Sequence, residues 1–274
     1  MDINYRFNNN HKRETVLLMH GFISDMSSMD TVCKDLASDF NILQVDLPGF
    51  GSTRSTGIDY TMDELSAGLA SLTESLGLEK VHVLGYSMGG RTAISFLINH
   101  PKKVLSAVLE STSPGIENMH ERAVRYEIDQ RRAAHITDDY ETFIKEWGQM
   151  GLFDSQTQID GNLLRKQKEN RLSQDPLEVA DSLIKYGTGV QRAYWQDLKH
   201  VDQRVLLLAG EKDDKFKEIN KSMAQLLPYP QLKIVNGTGH NIHMEARKKF
   251  AIIVLGFLRG GCNNGKRMAD TQRI

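Results

Sequence analysis

One serine sits where a hydroxyl can be turned into a reactive group. Gly85-Tyr86-Ser87-Met88-Gly89 follows a run that reads as a buried strand and opens one that reads as a helix. A G-x-S-x-G in that context is a nucleophile elbow. The sharp turn needs small residues two positions either side of the serine. It lifts the hydroxyl above a sheet and aims a helix N-terminus at it. A free hydroxyl is a weak nucleophile and requires a base. Of nine histidines, His240 stands out, in Gly237-Thr238-Gly239-His240-Asn241 directly after the last strand run. An acid that holds the imidazole in one tautomer is expected between the two in chain order. Gly210-Glu211-Lys212-Asp213 supplies it, with Asp214 as the neighbouring rival. Ser87, Asp213 and His240 are thus the expected catalytic set. The backbone amides of Phe22, in His20-Gly21-Phe22, and of Met88 are the expected oxyanion hole. His20, His82 and His243 read as structural or surface residues. The run Asp46-Leu47-Pro48-Gly49-Phe50-Gly51 either lines one wall of the site or is a plain tight turn.

These residues need a scaffold, and the apolar pattern provides one. Val16–His20, Ile42–Asp46, Val81–Gly85, Leu105–Leu109 and Val205–Ala209 are apolar on both faces, as in strands of a covered parallel sheet. Leu232–Val235 is a weaker sixth. Helical patterns lie between them at Met62–Leu76, opened by the capping box Thr61/Glu64, and at Met88–Asn99, stopped by Pro101. Ser222–Leu227 and Glu245–Leu258 supply two more. This alternation predicts an α/β fold, a doubly wound, mostly parallel sheet. No strand is predicted from Gly115 to about His200, where the chain is helical, polar and rich in arginine. That stretch reads as a helical lid inserted between two strands of one sheet. The expected organisation is therefore a core over residues 1–114, a lid over 115–200, the rest of the core over 201–259 and a glycine-rich, disordered tail over 260–274.

Composition narrows the function classes. With 34 Lys and Arg against 35 Asp and Glu, the net charge is −1, so no polycationic face for nucleic acid is implied. Cys33 and Cys262 stand far apart without metal-ligand spacing, so neither a disulfide framework nor a thiolate metal site is expected. The N-terminus has no apolar signal region, and the longest apolar stretch, Ala251–Leu258, is too short to span a bilayer. The expected setting is cytoplasmic, with a small molecule as partner.

Together, His20-Gly21-Phe22, Asp46–Gly51, Gly85-Tyr86-Ser87-Met88-Gly89-Gly90-Arg91 and Gly239-His240-Asn241 resemble the α/β-hydrolase superfamily. The match covers nearly the whole chain except the tail. Within it the chain resembles the 2-succinyl-6-hydroxy-2,4-cyclohexadiene-1-carboxylate synthases of menaquinone biosynthesis. Arg91 follows the elbow glycines. Arg122-Ala123-Val124-Arg125-Tyr126 with Asp129 resembles the branch's first lid helix. Arg171-Leu172, Asp175-Pro176-Leu177 and Gly187-Thr188-Gly189-Val190-Gln191 resemble its second lid motif. Gly210-Glu211-Lys212-Asp213 with Lys215-Phe216 resembles its acid loop. Trp147-Gly148-Gln149-Met150-Gly151-Leu152-Phe153 departs from the branch's Trp-Tyr-x-Gln-Pro-x-Phe, keeping only the outer aromatics.

The resemblance implies a lyase that eliminates pyruvate from a cyclohexene bearing three carboxylates. Arg91, Arg125, Arg171, Tyr86 and Trp147 are then substrate-binding positions, with guanidinium forks neutralising the carboxylates. It implies no metal and no organic cofactor. Two other readings share the same residues. One is a serine carboxylesterase, thioesterase or C–C-bond hydrolase. The other is a non-catalytic binding protein on this fold.

Overall fold

Side chains alternate sides along a strand, so a run that is apolar at every position needs cover on both faces. The computed structural model describes residues 1–260, so residues 261–274 of the expected tail lie outside the described residues. In chain order the elements are β1 (Tyr5–Asn8), β2 (Thr15–Met19), α1 (Asp30–Leu36), β3 (Asn41–Val45), α2 (Met62–Ser75), β4 (Val81–Tyr86), α3 (Met88–Asn99) and β5 (Val104–Glu110). Then come α4 (Met119–Asp138), α5 (Tyr140–Gly148), α6 (Gly161–Leu172) and α7 (Pro176–Tyr186). The chain finishes with β6 (Arg204–Gly210), α8 (Asp214–Leu226), β7 (Pro230–Val235), α9 (Ile242–Glu245) and α10 (Arg247–Arg259). No described helix is long and apolar enough to cross a membrane.

The strands form one sheet in the order β1-β3-β2-β4-β5-β6-β7, parallel throughout except that β1 runs antiparallel to β3. Leu17, Met19, Val83, Leu109 and Leu207 share one core with the apolar faces of α2, α3 and α8. Val16, Leu18, Leu84, Val108 and Leu206 face α1 and α10 in the other. The winding reverses beside β2, since β3 lies on one side of it and β4 on the other. Open α/β sheets form a crevice at the carboxyl ends of the strands at such a reversal. Register then decides what lines it. Met19 of β2 pairs with Gly85 of β4, which brings Phe22 and Ser87 to the same end. Gly210 of β6 pairs with Val235 of β7, which brings Asp213 and His240 there too.

The six predicted runs are all strands, and the capping box is formed, Thr61 and Glu64 each bonding the other's backbone amide. Four features differ from the sequence expectation. β1 was not predicted, because Tyr5-Arg6-Phe7-Asn8 is a half-exposed edge with little apolar signal. α1 is only seven residues long, too short to show a period. α8 begins at Asp214 rather than Ser222, since the Asp213 carboxylate caps it by accepting from the Phe216 amide at 3.3 Å. The predicted helix Glu245–Leu258 is two helices, broken at Ala246 (φ −138°, ψ 52°). Between β5 and β6 the described residues form helices and no strand. α7 is rooted in the core by Glu178, whose carboxylate accepts from the amides of Ser55 and Thr56, and by Lys185, which donates to Ser55 O at 2.7 Å. α6 buries none of its residues and is tethered by Asn170 Nδ2, which donates to Asp25 Oδ2 at 2.7 Å.

Two buried histidines make stability pH-dependent. Burial lowers the pKa of His20 and of His82 below the ordinary 6.5. Below 6.5 the unfolded chain binds protons that the folded one refuses, so stability is full above that value. It falls as pH drops from there through the lowered folded values. The urea midpoint is expected to fall between roughly pH 7.5 and roughly pH 5.5, and His20→Gln to shrink the fall. An equal fall in the variant would show that His20 contributes nothing.

Candidate active site

The elbow glycines are required by close approach. A Cβ on Gly89 would lie 2.5 Å from His20 O, and one on Gly85 2.7 Å from Gly90 Cα. The turn forces Ser87 to φ 51°, ψ −107°, a left-handed backbone that a non-glycine residue adopts only under constraint. The constraint is visible: Ser87 N donates to Glu110 O at 2.9 Å, and Thr112 Oγ1 donates to Ser87 O at 2.7 Å.

The structure brings Ser87, Asp213 and His240 together. His240 Nδ1 lies 2.7 Å from Asp213 Oδ2, and Nε2 lies 3.0 Å from Ser87 Oγ. The carboxylate accepts the hydrogen bond from Nδ1–H, so Nε2 is left as the acceptor for the serine hydroxyl. Asp213 and His240 are buried and Ser87 is half-buried, reachable by a ligand. The rival Asp214 is exposed and pairs with Lys217. The His240 ring is walled by Tyr86 at 5.4 Å and Phe216 at 4.7 Å between centroids. Burial pushes the Tyr86 phenol well above its ordinary range, so it stays a neutral donor.

Phe22 follows β2 and Met88 follows β4, neighbouring parallel strands, so both stand at the carboxyl end of the sheet. Met88 opens α3, so its amide has no partner within the helix. Among the described residues, neither amide donates to a protein acceptor. Ile23, next to Phe22, is held at φ 54°, rare for a β-branched residue, and this fixes the direction of the turn.

Arg91, Arg125 and Arg171 differ in how they are partnered. Arg91, one turn after Ser87, donates from one nitrogen to Tyr186 O at 2.9 Å and Gln191 Oε1 at 2.6 Å. Both acceptors are neutral. Burial, and next the charge of Arg125, push its pKa down to about 10, so it remains a cation. Arg125 Nε donates to Asp129 Oδ1 at 2.9 Å, which leaves the other end of its fork free. Arg171 lies over the Phe153 ring, 4.7 Å from its centroid; burial lowers its pKa, and the Tyr86 phenol is among the groups it feels. Among the described residues, neither Arg91 nor Arg171 has a carboxylate partner. Trp147 packs edge-on against Phe22 at 5.2 Å and so stands beside the crevice.

Other sequence candidates are structural. His20 Nε2 accepts from Leu47 N at 3.0 Å and Nδ1 donates to Gly21 O at 2.8 Å, so the ring braces two loops. His243 Nδ1 donates to the buried Glu110 carboxylate at 2.7 Å, and His82 bonds Ser106 Oγ at 2.8 Å. Asp46 is a loop tie, accepting from Met26 N and Ser52 N. Arg192 leaves the site and pairs with Asp63 and Asp197. Two cations beside the site carried no assigned role in the sequence reading: Arg132 and Lys215. The first shares a helix face with Arg125 and Asp129, at i+7 and i+3, a spacing readable in advance.

A family model for the alpha/beta hydrolase fold matches residues 14–247. A Bacillus subtilis (strain 168) protein, provisionally named 2-succinyl-6-hydroxy-2,4-cyclohexadiene-1-carboxylate synthase, is 35% identical over 248 residues, 89% of this chain and 90% of that one. The 2-succinyl-6-hydroxy-2,4-cyclohexadiene-1-carboxylate synthase of Escherichia coli O1:K1 is 26% identical over 84% of this chain and 88% of its own. The structure of MenH from S. aureus superposes with a TM-score of 0.90 at 32% identity, over 95% of this chain and 99% of that one.

Proposed function

The chain belongs to the α/β-hydrolase family and, within it, to the 2-succinyl-6-hydroxy-2,4-cyclohexadiene-1-carboxylate synthases, and from that premise we propose that it is a carbon–oxygen lyase of menaquinone biosynthesis. It eliminates pyruvate from 2-succinyl-5-enolpyruvyl-6-hydroxy-3-cyclohexene-1-carboxylate and leaves 2-succinyl-6-hydroxy-2,4-cyclohexadiene-1-carboxylate. The observation that carries the reading is Arg91. It is a half-buried guanidinium one helical turn from Ser87, held by a carbonyl and an amide rather than by a carboxylate. A partly desolvated cation without a counter-charge is costly. A substrate with three carboxylates supplies the missing charge, whereas a neutral ester does not.

Ser87 passes its proton to His240 Nε2 and acts as base on the ring C–H beside the succinyl ketone. The C–H electron pair becomes an enolate, whose oxygen is held by the amides of Phe22 and Met88. Return of that pair through the ring double bond forms a new C=C and breaks the C–O bond to the enolpyruvyl group. The expelled enolpyruvate takes up a proton and becomes pyruvate. Asp213 holds the imidazole tautomer and stabilises its charged form. Arg91, Arg125 and Arg171 hold the carboxylates, with Tyr86 and Trp147 as the walls. The helices of residues 115–200 act as a lid that excludes water.

The test is pyruvate release from the enolpyruvyl substrate, followed by coupled lactate dehydrogenase. Stoichiometric pyruvate is expected. Rapid turnover of small acyl esters with no pyruvate would instead make the protein a serine hydrolase.

A further inference from the structure

Two cations flank the site without being spent on a carboxylate of their own. Arg132, on α4, has one acidic neighbour, Asp129, at 3.7 Å. That carboxylate is already bonded by Arg125 Nε at 2.9 Å and by Gly189 N at 3.2 Å. The Arg132 guanidinium lies 5.4 Å over the Trp147 ring, and Trp147 in turn packs on Phe22. Lys215, in the first turn of α8, places Nζ 5.3 Å from the Phe216 ring, and Phe216 packs on His240. Each cation therefore caps an aromatic wall that leads inward to one half of the catalytic arrangement. Among the described residues Lys215 makes no ion pair.

We propose that Arg132 and Lys215 form an outer carboxylate socket at the mouth of the site, gripping the carboxylate of the substrate that lies farthest from Ser87. The proposal rests on the lyase reading and adds to it two residues and a direction of entry. Like charges held near each other repel. Lys215 carries the mark of this: its pKa is lowered by burial first, then by Arg125 and more weakly by Arg132, with Asp213 pulling the other way. Arg132 is lowered by burial and then by Arg125. A carboxylate between them removes the repulsion and completes the unspent hydrogen-bonding capacity of both. The N-terminus of α8 adds its dipole to the same region.

Calorimetric titration with propane-1,2,3-tricarboxylate, and with glutarate as a dianion, tests the socket without any turnover. Arg132→Gln and Lys215→Met are each expected to weaken the trianion about tenfold and the dianion less than about twofold. The double variant should lose less than the product of the two, because both grip one carboxylate. Arg132→Lys should keep part of the affinity. Arg165→Met, which removes an exposed cation of the same insertion paired to Glu169, should change nothing. Equal losses for both probes, or a loss with Arg165→Met, would reduce the effect to bulk charge and overturn the socket. No loss in the two singles would overturn it as well. Wild-type protein that binds the trianion but releases no pyruvate would leave the socket standing and defeat the lyase reading.

Discussion

Ser87→Ala is expected to stay folded and to release pyruvate at least about a thousandfold more slowly than the wild type. The fold should survive because the side chain is half-buried and its hydroxyl bonds only His240. The forced backbone at φ 51° is held by Glu110 O and Thr112 Oγ1, and neither contact uses the serine side chain. Activity should collapse because, among the described residues, only the Ser87 hydroxyl bonds His240 Nε2 and can take the ring proton. Asp213→Asn should cost a comparable factor by releasing the imidazole tautomer. The same residues would serve an acyl transfer, so a second measurement separates the chemistries. Enzyme quenched during turnover should show an unchanged intact mass. An adduct on Ser87 would replace elimination by covalent catalysis, and a fully active Ser87→Ala would remove the serine from the reaction altogether.

Gln191→Glu is expected to raise KM for the trianionic substrate by about thirtyfold or more, with a smaller change in kcat and no loss of folding stability. Gln191 Oε1 is 2.6 Å from Arg91. A carboxylate there would pair with the guanidinium, relieve its isolation and spend its charge inside the protein. Stability should hold or rise while binding fails, an opposition that a purely structural glutamine would not produce. Arg91→Ala removes the same charge by deletion and should weaken binding in parallel. Steady-state kinetics beside a urea midpoint decide it. A variant with unchanged KM would show that Arg91 does not meet the substrate.

The parts legible in the sequence were those with a local signature. The elbow announces itself because steric rules demand glycine at fixed offsets from Ser87, and the strands because covered runs are apolar at every position. α8 was misread because its first two turns are mostly polar and because Asp213, weighed as a catalytic acid, is also its cap. What could not be read was partnership across distance. Arg91 meets Tyr186 and Gln191 95 and 100 positions away, and no spacing rule distinguishes those neutral acceptors from carboxylates. The difference between a paired arginine and an available one exists only in three dimensions. The same holds for Lys215, which reads as part of a loop motif in the sequence but feels the charges of Arg125 and Arg132 on α4 in the folded chain.

The hydrogen bond between His240 and Ser87 spans 153 positions. It closes only after β6 has docked on β5 and β7 on β6. Such long-range closure is slow compared with forming helices, and it waits for segments synthesised well after the elbow. On the ribosome, the serine and its strained turn can therefore take shape while the acid and the base do not yet exist. A nascent or prematurely ended chain carries an inert elbow, and reactivity is withheld until assembly is complete.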